Sequence, residues 1–98
     1  MDRKRGIVMR WTECEEKLPK KDGKYMVIRK VCGESIIDIL KFSTDLYHVD
    51  RYEFQDYKNK NHAGFYEIDC DYEYDEVDIK NVLAWAKLPK IPDEYVED

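Results

Sequence analysis

The longest uninterrupted apolar stretch, Val82-Leu83-Ala84-Trp85-Ala86, is five residues, against the about 20 that a membrane-crossing helix needs. Basic residues are in deficit. The 98 residues carry 17 Lys and Arg against 22 Asp and Glu, a net charge of −5 at pH 7, which opposes general nucleic-acid binding through phosphates. Cysteine is sparse: Cys14, Cys32 and Cys70 form an odd, widely spaced set without C-x-x-C. Neither a disulfide framework nor a zinc knuckle is expected, and a reducing cytosol is the expected compartment. Four glycines and three prolines leave no low-complexity linker, and no internal repeat is present, so a single domain is expected. The opening holds Arg3, Lys4, Arg5 and Arg10 with only Ile7, Val8 and Met9 as an apolar run. A secretory signal needs about 7 to 15 apolar residues, so residues 1–10 read as a basic tail or first edge strand.

Aromatic residues are plentiful, with eight tyrosines and two tryptophans, and apolar residues make up 43 %. A mean hydropathy of −0.78 then points to a folded domain with a charged surface, because disordered chains lack aromatics. At this length folding hides only about 60 to 65 % of the chain's surface, so the core must be small.

Local patterns favour strands. Thr12-Glu13-Cys14-Glu15 matches a capping box and predicts one helical turn, stopped at Leu18-Pro19. Asp22-Gly23 precedes the run Tyr25-Met26-Val27-Ile28, and Cys32-Gly33-Glu34-Ser35 precedes Ile36 to Phe42. Residues 24–43 therefore read as a hairpin. Its second strand carries Ile37 and Ile39 on one face and Ile36, Leu40 and Phe42 on the other, which predicts a central or covered strand. Leu46 to Tyr57 follows helical spacing better than alternation and predicts a helical turn or irregular crossing. Lys58 to Gly64 is a loop by composition. From Tyr66 to Asp75 apolar and acidic residues alternate strictly, predicting one amphipathic strand. Val82 to Ala86 predicts a last strand ended at Leu88-Pro89, and Asp93 to Asp98 an acidic, frayed tail. The expected fold is mainly β, with α+β as the alternative. It is a small single antiparallel sheet of about five strands over residues 11–92, with one or two short helical turns.

Trp11 with Leu18-Pro19 near the start, and Ala84-Trp85-Ala86-Lys87-Leu88-Pro89-Lys90-Ile91-Pro92 near the end, frame the chain. This frame resembles domain of unknown function 551, a set of small phage, prophage and bacterial proteins with a W…LP opening and an HWMPLPEPP-like closing element. The stretch from Gly64-Phe65-Tyr66-Glu67-Ile68-Asp69 through Trp85 looks like the middle of that family, so the similarity spans Trp11 to about Tyr95. Ala84 stands where His is common, Ala86-Lys87 replaces Met-Pro, and Lys90-Ile91 replaces Glu-Pro. The resemblance implies phage-type origin and fold, and it carries over no catalytic residue. Read from the residues alone, Trp11, Leu18, Pro19, Trp85, Leu88, Pro89 and Pro92 are expected to fasten both chain ends to the sheet, since indoles bury large areas and stack on prolines. A tryptophan-lined ligand or peptide groove is the alternative.

Between Phe65 and Ile79 lie seven carboxylates and no Lys or Arg. On a regular strand Glu67, Asp69, Asp71, Glu73 and Asp75 would share one face, about 6.6 Å apart. Such a row could imitate a phosphate backbone and enter the basic nucleic-acid groove of a host protein. The plainer reading is a charged edge strand that resists aggregation. Asp69-x-Asp71-x-Glu73 opens like a calcium loop but has Tyr74 at the glycine position and Lys80 at the twelfth, so no metal is expected. His48 and His62 belong to no catalytic motif, and neither enzymatic activity nor a cofactor is expected. Tyr57, Lys58, Lys60 and His62 could instead offer stacking and phosphate contacts to a nucleotide. The leading expectation is a phage-type accessory protein of the host bacterial cytosol that inhibits a host protein by contact through the acidic face, without binding nucleic acid or membrane. The alternatives are a protein that sequesters a signalling nucleotide and an accessory phage protein with another role.

Overall fold

The computed structural model describes residues 10–95. The expected β domain is present as one antiparallel sheet of six strands in spatial order β1-β6-β2-β3-β4-β5. The strands are β1 (Thr12–Glu13), β2 (Gly23–Val31), β3 (Glu34–Ser43), β4 (Gly64–Ile68), β5 (Tyr74–Glu76) and β6 (Val82–Lys87). After the meander from β2 to β5 the chain returns across the sheet, so that β6 lies between β2 and β1.

The β2–β3 hairpin forms where the β-branched runs predict it. Cys32 and Gly33 take φ of +52° and +84°, the paired positive values that a tight two-residue hairpin turn needs. The capping box behaves differently from expectation. Thr12 and Glu13 pair with Trp85 and Ala84 on the sheet edge, and the helical turn starts only at Glu13, whose carbonyl accepts from the N–H groups of Glu16 and Lys17 at 3.0 and 3.2 Å. Tertiary pairing has displaced the local cap by one residue. Residues 44–63 form an irregular crossing with two 3-10 turns, Leu46–His48 and Gln55–Tyr57. Asp45 caps the first by accepting from Tyr47 N–H, and Asp50 accepts from the N–H groups of Tyr52 and Glu53. The aspartate at 50, which spoils any strand alternation, is a turn former. Asp93–Tyr95 forms a further exposed 3-10 turn. The basic segment 1–9 and residues 96–98 lie outside the described residues.

One face of the sheet carries the core. Val27, Leu40, Phe42, Phe65, Val77 and Val82 are buried together, with Leu18, Tyr25 and Trp85 packed against them. Phe42 meets Phe65 and Tyr25 edge-on at 5.0 and 6.3 Å. A bulge at Ile28/Arg29 brings Val82 opposite Arg29, while Ala84 and Ala86 lie opposite Ile28 and Met26. Val82 thereby joins the core face and the two alanines the other. That second face is uneven: Ile37 is 63 % and Ile39 54 % exposed on β3, whereas Ala84 and Ala86 on β6 and Ser43 at the end of β3 are buried. β3 is central, as its pattern predicts, with Leu40 and Phe42 buried on the core side and Ile37 and Ile39 exposed on the other. Among the described residues no helix is long and apolar enough to cross a membrane.

Candidate functional site

The acidic segment is not one strand. β4 ends at Ile68, the chain reverses through residues 69–73, and β5 returns beside it with Glu67 directly opposite Asp75. The physical reason is parity. Residues 67 and 75 share a face whether the chain runs straight on or turns back through an odd number of residues, so strict alternation cannot tell a strand from a hairpin. Asp69 closes the turn: its Oδ1 accepts the N–H groups of Asp71 and Glu73 at 2.8 and 2.9 Å. Tyr72 sits at φ +63°. The expected row of five becomes a compact group in which two carboxylates are engaged and three are free. Asp69 is spent on the backbone. Glu67 lies 3.4 Å from the Arg29 guanidinium, which also pairs with Asp38 at 3.0 Å. Asp71, Glu73 and Asp75 are exposed, and Tyr72 at the tip is 86 % exposed.

The loop residues group around a partner that sequence reasoning left out of the site. The Tyr57 hydroxyl donates to Glu76 Oε1 at 2.5 Å, and His62 Nε2 lies 3.0 Å from Glu76 Oε2. The His62 ring stacks on Tyr57 at 3.9 Å. Positive φ at Asn59 and Asn61 turns the chain so that His62 falls back on Tyr57, while Lys58 and Lys60 stay exposed. Glu76 is even-numbered in an odd-numbered acidic series, and that break in pattern was the only signal available. The cluster ties the crossing loop to β5, with a carboxylate at its centre and one face of Tyr57 already covered. Those features suit a structural clamp better than a phosphate site.

The clamp has a measurable signature. The hydrogen bond to Glu76, then burial, push the Tyr57 hydroxyl up to about 12 from its usual 10.0. A group whose folded pKa is raised stabilises the fold fully below the unfolded value, so this contribution is complete below pH 10 and is lost as pH rises from 10 to 12. Glu76→Gln is expected to move Tyr57 back toward 10, seen as earlier tyrosinate absorbance in an alkaline titration.

At the framing residues, Trp85 packs edge-on to Tyr25 at 5.3 Å and its indole N–H donates to the Lys17 carbonyl at 2.9 Å. Leu18 is half-buried and Pro19 buried beside the same core. Trp11 is half-buried, next to the β1–β6 pairing. Leu88, Pro89 and Pro92 are exposed beyond β6, so fastening at this end stops at Trp85: the prolines end the strand without packing on it. Tyr25 and Trp85 instead floor a groove rimmed by Lys17, Lys20, Lys21 and Lys87.

Among the described residues no group of three or more His, Cys, Asp or Glu side chains is placed to hold a metal ion. Burial pushes the Cys14 thiol up to about 11, whereas Cys32 and Cys70 are exposed at the two hairpin tips. Alkylation near pH 8 is expected to label two thiols rapidly and Cys14 on the order of a hundredfold more slowly, as counted by intact mass.

No family model, curated protein or solved structure matches the chain. The resemblance to domain of unknown function 551 is carried by the framing residues and the Gly64-to-Trp85 stretch alone.

Proposed function

We propose that this chain is a binding protein of the phage-accessory type that inhibits a bacterial host protein in the host cytosol by direct contact, using the β4–β5 hairpin. The observation that carries the reading is the display of Asp71, Glu73 and Asp75 around an exposed Tyr72, on a turn held by the Asp69 carboxylate. A preorganised acidic hairpin loses little conformational entropy on binding. Its charge steers encounter with a basic nucleic-acid groove and competes there with phosphates. The aromatic tip supplies the apolar anchor that charge alone lacks. The test is capture from a bacterial lysate with the tagged chain. A stoichiometric protein that is released by salt, and that loses its nucleic-acid binding when the chain is added, is the expected result. Empty protein, or a partner whose nucleic-acid binding is untouched, overturns the reading.

A second reading, sequestration of a nucleotide, is favoured by the lysine-rimmed groove over Tyr25 and Trp85 rather than by the Lys58 loop. Both rings are pinned, since Tyr25 also donates to the Lys21 carbonyl at 2.8 Å. Native mass spectrometry of chain isolated from a bacterial cytosol would show one retained nucleotide, lost when Lys20 and Lys21 become Ala. Retention unchanged by those substitutions counts against the groove.

A further inference from the structure

Beyond β6 the chain leaves the sheet as an arm. Every residue from Lys87 to Tyr95 is exposed, and the exposure includes large apolar side chains, Ile91 at 62 % and Tyr95 at 71 %. Covering them would be favourable, yet the arm's own geometry keeps them off this body. Leu88 and Ile91 each precede a proline and are held extended, while Pro89 and Pro92 fix their own φ at about −65°. Residues 88–92 are therefore stiff and lead outward. At the far end the Tyr95 N–H donates to the Pro92 carbonyl at 2.9 Å, closing a turn that carries Asp93, Glu94 and Tyr95. Neither carboxylate pairs with a cation among the described residues. The arm is rooted at Lys87, and Lys87 also stands on the rim of the groove floored by Tyr25 and Trp85. With Lys17, Lys20 and Lys21 it makes a rim that holds no carboxylate, and none of the four lysines has an ion-pair partner among the described residues. Such a set of like charges is self-repelling until an anion joins it. The groove encloses about 340 Å³, at the lower end of ligand-sized pockets.

We infer that two copies of this chain exchange arms about a two-fold axis, the Asp93–Tyr95 turn of each copy seating in the lysine-rimmed groove of the other. Charge complementarity selects this occupant. Asp93 and Glu94 bring the anions that the rim lacks, and Tyr95 offers its ring to the floor of Tyr25 and Trp85, where aromatic rings pack edge-on or offset. Because the root of the arm and the receiving groove are neighbours, one two-fold axis beside Lys87 carries each arm to the other copy's groove. The contact then closes on itself instead of propagating into a chain of copies. The six residues from Lys87 to Asp93 span at most about 20 Å, which limits the separation of the two grooves. An arm folding back onto its own groove would have to reverse within residues 88–92, against the extended conformation imposed before each proline. A nucleotide is the rival occupant, since the same lysines and rings would receive its phosphates and base. β6 and β2 lie toward one edge of the sheet and β4 and β5 form the other, so both acidic hairpins stay uncovered and the inference holds whatever their role.

Sedimentation equilibrium of the full chain tests it. Two short arms make an interface at the small end of specific contacts, so a dimer that dissociates at about 10 to 100 µM is expected, weakened by added salt. Asp93→Lys with Glu94→Lys, in the arm, and Lys20→Glu with Lys21→Glu, in the groove, should each weaken it by at least about tenfold. All four side chains are exposed, so circular dichroism should be unchanged. Mixed in equal amounts, the two double variants should pair with each other within about threefold of the wild-type constant. In that mixed dimer the lysine arm meets the glutamate groove and the acidic arm meets the lysine groove, a repair that an arm docked on its own chain cannot show. A monomeric wild type, with or without a retained nucleotide, a dimer indifferent to both charge reversals, or double variants that fail to pair when mixed overturns the inference.

Discussion

Phe42→Ala is expected to lower the unfolding free energy by about 3 to 5 kcal/mol. Phe42 is 1 % exposed in the middle of the main core cluster, between the edge-on rings of Phe65 and Tyr25. Its cross-strand neighbours are Phe65 on β4 and Gly23 on β2. The glycine has no side chain to move into the void. A chain of this length has about 5 to 15 kcal/mol in all, so the variant should melt roughly 15 to 30 °C lower and be partly unfolded at the low end of that range. Ile37→Ala on the other side of β3, 63 % exposed, is the matched control and should cost under about 1 kcal/mol in dilute solution. Urea titrations followed by circular dichroism check both. A loss for Phe42→Ala no larger than that for Ile37→Ala would mean that the core is not where the structure puts it.

How much of this was legible in the sequence depended on whether a pattern had one structural meaning. The β2–β3 hairpin and β6 were readable because β-branched runs bounded by Gly and Pro leave few alternatives. The crossing from Leu46 to Tyr57 was readable as a helical turn or irregular crossing, although not as two separate turns, since Asp45 caps the start of the first and Asp50 turns the chain between them. The hairpin at residues 69–73 was not, because alternation survives an odd-length reversal and the turn is made by Asp69 rather than by glycine. β1 escaped because a capping box is a local signal and its pairing partner, Trp85, is remote in sequence. The Tyr57–Glu76–His62 clamp joins two elements that nothing in the sequence places side by side. The split of the acidic segment into β4 and β5, the corrected acidic face and the clamp were therefore all consequences of how the return from β4 is folded.

The hairpin geometry also decides which charges can be reversed without disturbing the fold, and this gives the largest functional effect expected of any variant. Asp69 holds two backbone N–H groups and Glu67 neutralises Arg29, so changing either would confuse loss of contact with loss of structure. Asp71, Glu73 and Asp75 have exposed side chains. Converting all three to Lys takes the net charge from −5 to +1, each reversal adding two units. It also places a lysine opposite Glu67 at position 75, a favourable cross-strand pair. Stability should therefore change by no more than about 0.5 to 1 kcal/mol. Association with a basic groove should slow by about 10- to 1,000-fold, because the steering field changes sign, and inhibition should be lost at wild-type concentrations. Asp69→Ala, with all three outer charges kept but the turn released, should lose affinity mainly through faster dissociation, since an unconstrained tip must be ordered on binding. The two variants separate charge from preorganisation: stopped-flow association rates report the first and dissociation rates the second. A triple variant that inhibits as well as the wild type removes the hairpin as the contact element and leaves the lysine-rimmed groove as the stronger site.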